Sequence, residues 1–231
     1  MKITFLGTGG VFDYEYGNSS AIVQHCGQKY LIDCGSSVYS TLRKHDLTDS
    51  IDYILLTHLH GDHVGSLFQL ILHFNLRATP RRKAPILCPT EAFREELHRF
   101  LVFWLIDPTE FVDFQPLSAA QGVGALDTTG KHMVGMQSYA YYFTSENRLL
   151  YYSGDLGDVE STVRFLNGRD EERVTVYHEM HHLTGSAHVY YRDLMERLSG
   201  YEVYGYHCDP RKIPPDNTIP LVADQPDLLL R

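Results

Sequence analysis

A short segment, THLHGDHVG at residues 57–65, concentrates side chains that can bind a metal ion. Three histidines and one aspartate fall within six positions, at His58, His60, Asp62 and His63. Residues two apart in an extended segment point to the same side, so His58 and His60 can bind one ion. Asp62 and His63 follow at a bend, where they can face a second ion. Because neutral imidazole and carboxylate are usual ligands of Zn²⁺, the segment predicts a metal site.

The order His-x-His-x-Asp-His behind an apolar strand resembles the signature of the metallo-β-lactamase superfamily. Two earlier segments, GTGG at residues 7–10 and LIDCG at residues 31–35, are similar to the opening strands of that family. The resemblance extends over residues 1–211, which is nearly the whole chain.

Three later residues complete the ligand set that the resemblance implies. His132 resembles the histidine of the third family motif, Asp155 the aspartate that bridges both metals, and His207 the terminal histidine of the second site. The implied ligands are His58, His60 and His132 for the first ion, Asp62, His63 and His207 for the second, and Asp155 for both.

Two ions that share Asp155 would lie about 3.5–4 Å apart. A water between them becomes hydroxide near neutral pH, and the resemblance implies that this bridging hydroxide is the nucleophile. Asp62 is implied to orient it, while the ions offset charge on the substrate oxygens. We expect two Zn²⁺ ions, with Mn²⁺ as the alternative.

The residues after His132 indicate the branch of the superfamily. They lack the Gly-His-Thr-Pro-Gly pattern of glyoxalases and many lactamases, and GMQSYAY at 135–141 is similar to ribonuclease Z and small phosphodiesterases. In ribonuclease Z relatives a glutamate at a strand end partners a histidine that starts a helix and protonates the leaving oxygen. Glu179 and His188 match this pair, although Val-Tyr follows His188 where the family has Ser-Thr.

Two phosphodiester substrates fit this branch. A tRNA 3′-end endonuclease of the ribonuclease Z type requires a basic arm for folded RNA, whereas the longest candidate, Trp104–Gln121, contains no Lys or Arg. The compact cyclic-nucleotide phosphodiesterases, which include the anti-Pycsar proteins, are the better match. They imply hydrolysis of a 3′,5′-cyclic mononucleotide to a nucleoside monophosphate, which would counter cyclic-nucleotide antiphage signalling. Tyr14 and Tyr16 are candidates for stacking on the base, with packing inside their loop as the alternative.

Two other classes of function fit these residues less well. A thioester or lactam metallohydrolase would use the same ligands, but it predicts a different loop after His132 and leaves Glu179 and His188 without a role. A non-catalytic scaffold or nucleotide sponge would not require all seven ligand positions to be filled, as they are here.

Alternating strand-like and helix-like segments must bring these residues together. Strands are predicted at Ile3–Leu6, Ala21–Gln24, Lys29–Ile32, Ile51–Thr57, Ser138–Phe143, Leu149–Ser153, Val174–Tyr177 and Glu202–Tyr206. Helices are predicted at Ser36–His45, Gly65–Phe74, Thr90–Phe103 and His188–Leu198, with Thr90 as an N-cap. Strands followed by a helix, twice over, predict an α/β fold of two mixed sheets packed face to face with helices outside. We expect one such αββα domain over residues 1–231.

The composition is that of a globular protein, and its charge favours a small ligand over an extended nucleic acid. The formal net charge of −9 argues against an extended nucleic-acid footprint, which needs Lys and Arg against phosphates. Four cysteines without a C-x-x-C pair suit reduced thiols in the cytoplasm, that of the host if the chain is phage-encoded. No apolar stretch is long enough for a bilayer, so no membrane partner is expected. The apolar segment Leu101–Phe114 suits a homodimer interface or the end of a core helix.

Overall fold

The computed structural model describes residues 1–230, in which eleven strands alternate with six α-helices. The strands are β1 (Lys2–Gly7), β2 (Ser20–His25), β3 (Gln28–Ile32), β4 (Tyr53–Leu55), β5 (Ala84–Cys88), β6 (Val112–Pro116), β7 (Val123–Asp127), β8 (Tyr139–Ser145), β9 (Arg148–Tyr152), β10 (Arg173–Glu179) and β11 (Glu202–Tyr206). The helices are α1 (Val38–Lys44), α2 (Gly61–Val64), α3 (Leu67–Leu76), α4 (Glu91–Leu105), α5 (Val159–Asn167) and α6 (Tyr191–Arg197). None of the helices in residues 1–230 combines the length and apolar character that crossing a membrane requires.

The strands form two mixed sheets of similar design. The first sheet has the order β1-β2-β3-β4-β5-β6 and the second the order β11-β10-β9-β8-β7. In each sheet the first two pairings along the chain are antiparallel and the later ones are parallel. Because parallel strands end at the same edge of a sheet, residues that follow β9, β10 and β11 are brought close together.

Alternation along β8 and β9 separates the layers of the fold. Tyr141 and Phe143 of β8 and Tyr152 of β9 lie in the core shared with the first sheet. Their neighbours Ala140 and Tyr151 lie in a second core, against α5 and α6. Successive strand residues point to opposite faces, so one face of this sheet meets the other sheet and one meets helices. With α1, α3 and α4 packed on the first sheet, the predicted αββα sandwich is confirmed.

Most predicted elements lie within a few residues of the observed ones. β11 has the predicted bounds, and the Thr90 hydroxyl caps α4 by accepting a hydrogen bond from Phe93 N at 3.1 Å. Three strands, β5, β6 and β7, and two helices, α2 and α5, lie outside the predictions. The segment Trp104–Gln121, the longest candidate for an RNA-binding arm, is part of the sandwich because it contains β6.

The predicted helix start at His188 is wrong. Helix α6 begins at Tyr191, and a β-bridge between His181 and Tyr190 closes the preceding loop. His181 N donates to Val189 O at 2.7 Å, and Tyr191 N donates to His181 O at 3.0 Å. These bonds hold the chain extended through Val189, so His188 lies in a closed loop ahead of the helix.

Candidate metal centre

The predicted ligands lie at one edge of the sandwich, where parallel strands end. His58 follows β4, Asp155 follows β9 and His207 follows β11. Asp62 and His63 lie on the single-turn helix α2, where the sequence predicted a loop. Both are buried, so the turn of α2 directs them into the molecule.

The first cluster consists of His58, His60, His132 and Asp155, whose ligand atoms lie within 4.8 Å of one another. His60 Nδ1 lies 2.9 Å from His58 Nε2 and 3.2 Å from His132 Nε2. His132 Nε2 lies 3.7 Å from Asp155 Oδ2. The structure therefore brings together the four residues predicted for the first ion.

The second cluster consists of Asp62, His63, Asp155 and His207, again with ligand atoms within 4.8 Å of one another. Asp155 Oδ1 lies 3.3 Å from His63 Nε2, and Asp155 Oδ2 lies 3.3 Å from His207 Nε2. Asp62 Oδ2 lies 3.6 Å from His63 Nε2 and 3.8 Å from His207 Nε2. Asp155 thus belongs to both clusters, in the bridging position that the family resemblance implied.

The outward-facing nitrogens of the ligand histidines are held by other groups. His63 Nδ1 lies 2.8 Å from Asp33 Oδ2, and His207 Nδ1 lies 3.2 Å from Ser19 Oγ. His132 Nδ1 lies 3.0 Å from the carbonyl oxygen of Ala187. Such contacts fix the ring orientation and the tautomer, which leaves Nε2 of each ring available for a metal ion.

Two buried atoms indicate that this arrangement fits cations. Within residues 1–230, His63 Nε2 and Asp155 Oδ1 are buried without a hydrogen-bond partner. Leaving a buried polar atom unpaired is costly, and a metal ion coordinated by both would satisfy them. Burial opposes protonation of His63, yet Asp155 and Asp33 outweigh it and hold the pKa of His63 well above its ordinary value. The nitrogen and oxygen donors of the site suit divalent ions.

Asp33 supports the second cluster and was not singled out in the sequence. Its backbone φ is 62°, which non-glycine residues rarely adopt. The fully buried carboxylate accepts hydrogen bonds from Thr57 N and Thr57 Oγ1, both at 2.8 Å, besides its contact with His63. Burial raises the pKa of Asp33, and His63 opposes that rise. An acidic residue directly after the apolar strand β3 is the sequence signal that could have identified it.

His188 lies beside the two clusters without belonging to either. Its ring centroid is 5.0 Å from that of His132 and 5.2 Å from that of His207. The Glu179 carboxylate, buried at the end of β10, accepts from His188 Nδ1 at 3.0 Å and from Val189 N at 2.9 Å. Burial opposes protonation of His188, but Glu179 prevails and raises the pKa of His188 to about 9. The structure therefore brings the predicted pair together.

A cavity of about 560 Å³ opens over the ligands. Of the two predicted substrate contacts, Tyr14 is exposed. The ring of Tyr16 lies under the guanidinium of Arg211, whose Cζ is 5.6 Å from the centroid of that ring. Neither lines the cavity, whereas Val11 and Phe12 of the same loop do. A substrate role of Tyr14 and Tyr16 stays a prediction.

Gly157 occupies a junction between the loops that carry His132 and His188. A Cβ atom at Gly157 would lie 2.7 Å from the carbonyl oxygen of Ala187 and 2.9 Å from that of Lys131. Real Cβ atoms essentially never show such contacts, so a side chain here would force the backbone to move. The carbonyl of Ala187 also contacts the ring of His132. The absence of a side chain at Gly157 therefore lets the loop that carries Ala187 and His188 approach the first cluster.

Comparison with known proteins identifies the family to which the chain belongs. The family model described as "Anti-Pycsar protein Apyc1" matches residues 1–201. The Apyc1 protein of Bacillus phage vB_BveM-Goe7 is 44% identical over 92 residues, which cover 38% of this chain and 34% of the phage protein. The Apyc1 protein of Paenibacillus sp. (strain J14) is 30% identical over 216 residues, covering 86% of this chain and 83% of the relative. The alignments with the phage proteins cover only about a third of the length of each phage protein.

A solved structure supports the fold. The metallo-β-lactamase fold protein YhfI from Bacillus subtilis superposes with a TM-score of 0.68 at 18% sequence identity. The superposition covers 89% of this chain and 85% of YhfI. At this identity the likeness establishes the fold, and the chemistry must be argued from the site.

Proposed function

The chain belongs to the anti-Pycsar protein Apyc1 family, and we propose on that basis that it is a two-metal phosphodiesterase of the cytoplasm. Membership confirms the resemblance predicted from the motifs. The proposed reaction is hydrolysis of a small 3′,5′-cyclic mononucleotide to a nucleoside monophosphate, which would counter cyclic-nucleotide signalling against phages. The observation that carries this proposal is the position of His188 beside both ligand clusters, with Glu179 behind it.

The seven ligand residues would hold two divalent ions, for which we propose Zn²⁺, with Mn²⁺ as the alternative. When bound, such a pair supplies an activated water near neutral pH and offsets the charge that builds on the phosphate oxygens. Asp62 lines the cavity, so its carboxylate can accept a hydrogen bond from the attacking water and orient it.

His188 would protonate the leaving ribose oxygen. Its Nδ1 is engaged by Glu179, so Nε2 is the nitrogen left to act, and the residue lines the cavity. The Glu179 carboxylate raises the pKa of His188, which favours the form of His188 that holds a proton. It can release that proton to the leaving oxygen as the P–O bond breaks.

A small substrate is supported by the cavity and by the charge of the chain. The cavity of about 560 Å³ lies within the range of roughly 300–1,000 Å³ that is usual for small-ligand sites. The net charge of −9 disfavours an extended nucleic acid, whose binding depends on many Lys and Arg contacts. These two observations support a mononucleotide over a folded RNA.

We also propose that the protein forms a homodimer through the end of α4. Leu101 and Leu105 are buried, whereas Phe103, Trp104 and Ile106 are exposed. The segment is therefore both a core helix end and an apolar surface, and such surfaces mark interaction sites. Light scattering should give the mass of a dimer, and Phe103→Glu should shift it towards the 26.4 kDa of one chain. A monomeric mass for the wild-type protein would exclude this interface.

The test of the function is the variant His188→Ala, assayed with a cyclic mononucleotide and with bis(p-nitrophenyl) phosphate. We expect both metal ions to stay bound and turnover of the cyclic nucleotide to fall about 10²–10⁴-fold. Nitrophenolate needs little protonation to leave, so its release should slow much less.

The matched control is His98→Ala on α4, a partly exposed histidine outside the cavity lining, which should behave as wild type. Equal slowing of both substrates by His188→Ala would contradict proton donation. Loss of a metal ion from that variant would make His188 a ligand instead.

A further inference from the structure

The cavity over the ligands has an apolar rim that the proposed chemistry does not use. Its members are large exposed apolar residues of two loops, namely Val11, Phe12 and Met133. Phe12 has 81% of its surface exposed, whereas Phe5, Phe74 and Phe93 are buried in the core. Phe12 and Met133 both line the cavity. Exposed apolar side chains that line a cavity beside polar groups are typical of ligand contacts.

The loop that carries Phe12 is fixed next to the second cluster. Gly10 N donates to Asp13 Oδ2 at 3.0 Å, and Asp13 N donates to Gly10 O at 3.3 Å, which closes a tight turn around Phe12. Asn18 Nδ2 donates to Gly10 O at 3.4 Å and ties this turn to the segment before β2. A Cβ atom on Gly10 would lie only 3.5 Å from His207 Nε2. Gly10 at the start of the turn therefore lies beside the ligand His207, and Phe12 follows it on the lining of the cavity.

Phe12 is free to bind a ligand ring. The aromatic pairs of residues 1–230 include Phe5, Phe68 and Phe93, but Phe12 is in none of them. A nucleobase presents a flat face of the same character, and stacking on an aromatic side chain needs no hydrogen bonds from the protein. Met133 lies next to His132 on the first-cluster side of the cavity, and it offers no ring face.

We propose that Phe12 is the platform on which the base of the cyclic nucleotide stacks while the phosphate lies over the metal ligands. This inference rests on the proposed function and extends it to the binding of the substrate. It assigns the base to the second-cluster side of the cavity, beside His207. It also places the stacking residue at Phe12 in the loop where the sequence predicted Tyr14 or Tyr16.

The experiment compares Phe12→Ala and Phe12→Trp on a cyclic mononucleotide and on ribose 3′,5′-cyclic phosphate, which has no base. For the nucleotide, Phe12→Ala should raise KM about 5–100-fold with little change in kcat, as expected for loss of one base stack. Phe12→Trp should restore a low KM because it restores the aromatic face. With the base-free ring, all three proteins should have the same KM.

The control is Leu76→Ala, which removes an exposed apolar side chain outside the cavity lining and should match wild type. An unchanged KM for the nucleotide in Phe12→Ala, or an equal rise for the base-free ring, would overturn the proposal.

A binding measurement separates this inference from the proposed function. A 3′,5′-cyclic phosphorothioate nucleotide should bind wild type and Phe12→Trp, and bind Phe12→Ala about 5–100-fold more weakly. If wild type binds this nucleotide but hydrolyses no cyclic nucleotide, the proposed reaction is wrong. The difference in binding between wild type and Phe12→Ala then still tests whether the base stacks on Phe12. Equal binding by wild type and Phe12→Ala, or no binding by either, would overturn the platform.

Discussion

The two halves of the metal centre share Asp155 but differ in what surrounds their other ligands. In the second cluster every ligand is buried, and Asp33 places a fully buried carboxylate behind His63. In the first cluster His60 is only partly buried. The ring of His132 is held by the carbonyl of Ala187, in the closed loop before α6.

The difference has a consequence for metal affinity. A carboxylate behind a histidine raises the basicity of the ligand nitrogen more than a neutral carbonyl does, and it fixes the ring more firmly. Every ligand of the second cluster is also buried, so its attraction for a cation is screened less than that of the partly buried His60. We therefore expect the second ion to bind more tightly, and a chelator to remove the first ion before it.

Asp155→Asn should abolish the difference in metal affinity between the two clusters, because it removes the anionic ligand that both share. We expect the metal content to fall from two ions towards zero per chain and hydrolysis to fall to background. Elemental analysis and activity measure these effects. The control is Asp158→Asn, three residues along, which caps α5 and should keep both ions since asparagine also caps helices well. Retention of two ions in Asp155→Asn would refute the bridging role.

Asp33→Asn should reverse the order of the two metal affinities, because it weakens metal binding by the second cluster alone. Loss of such a supporting carboxylate should lower affinity for the second ion about 10–100-fold. Titration with a metal indicator would then show the first ion bound more tightly.

The matched control for Asp33→Asn is Asp49→Asn, which removes the charge from a 2.7 Å contact with the buried His73 outside both clusters. It should leave both affinities unchanged. If Asp33→Asn weakens both ions equally, the variant disturbs the fold rather than one cluster.

Gly157→Ala should enlarge the difference in metal affinity, because it weakens metal binding by the first cluster further. The added methyl group must displace the carbonyl of Ala187 or that of Lys131, which disturbs the ring of His132. We expect about a tenfold loss of affinity for the first ion, the lower end of the range for such contacts, since the loop can give way in part. Metal titration and circular dichroism measure the loss and the integrity of the fold.

Gly200→Ala is the control for Gly157→Ala, because a Cβ atom there would meet no other atom within 4 Å. It should titrate as wild type. Unchanged affinity for the first ion in Gly157→Ala would mean that the loop before α6 does not position His132.

The core stabilises the fold independently of these ligands. Each fully buried Phe or Leu side chain contributes about 1.5–3 kcal/mol, and many such side chains lie between the sheets. The ligands lie at the ends of strands rather than within this core. The variants above should therefore stay folded, which makes metal content and activity interpretable.

The sequence by itself determined the first part of the site. His58, His60, Asp62 and His63 lie within six positions, so their spacing alone brings them near one another. Their residue types have little value for packing in a loop, which made the metal hypothesis specific. The αββα class followed from alternating apolar segments, because burial patterns depend mainly on local periodicity.

Only the tertiary structure decided what supports and surrounds those ligands. Asp33 reaches His63, and the carbonyl of Ala187 reaches His132, across 30 and 55 positions of the chain. A backbone carbonyl has no residue type that a motif could reveal, and the space left by Gly157 depends on two other loops. Likewise, the turn after β1 directs Phe12 rather than Tyr14 into the cavity. Such contacts depend on how distant segments pack, and local spacing does not contain that information.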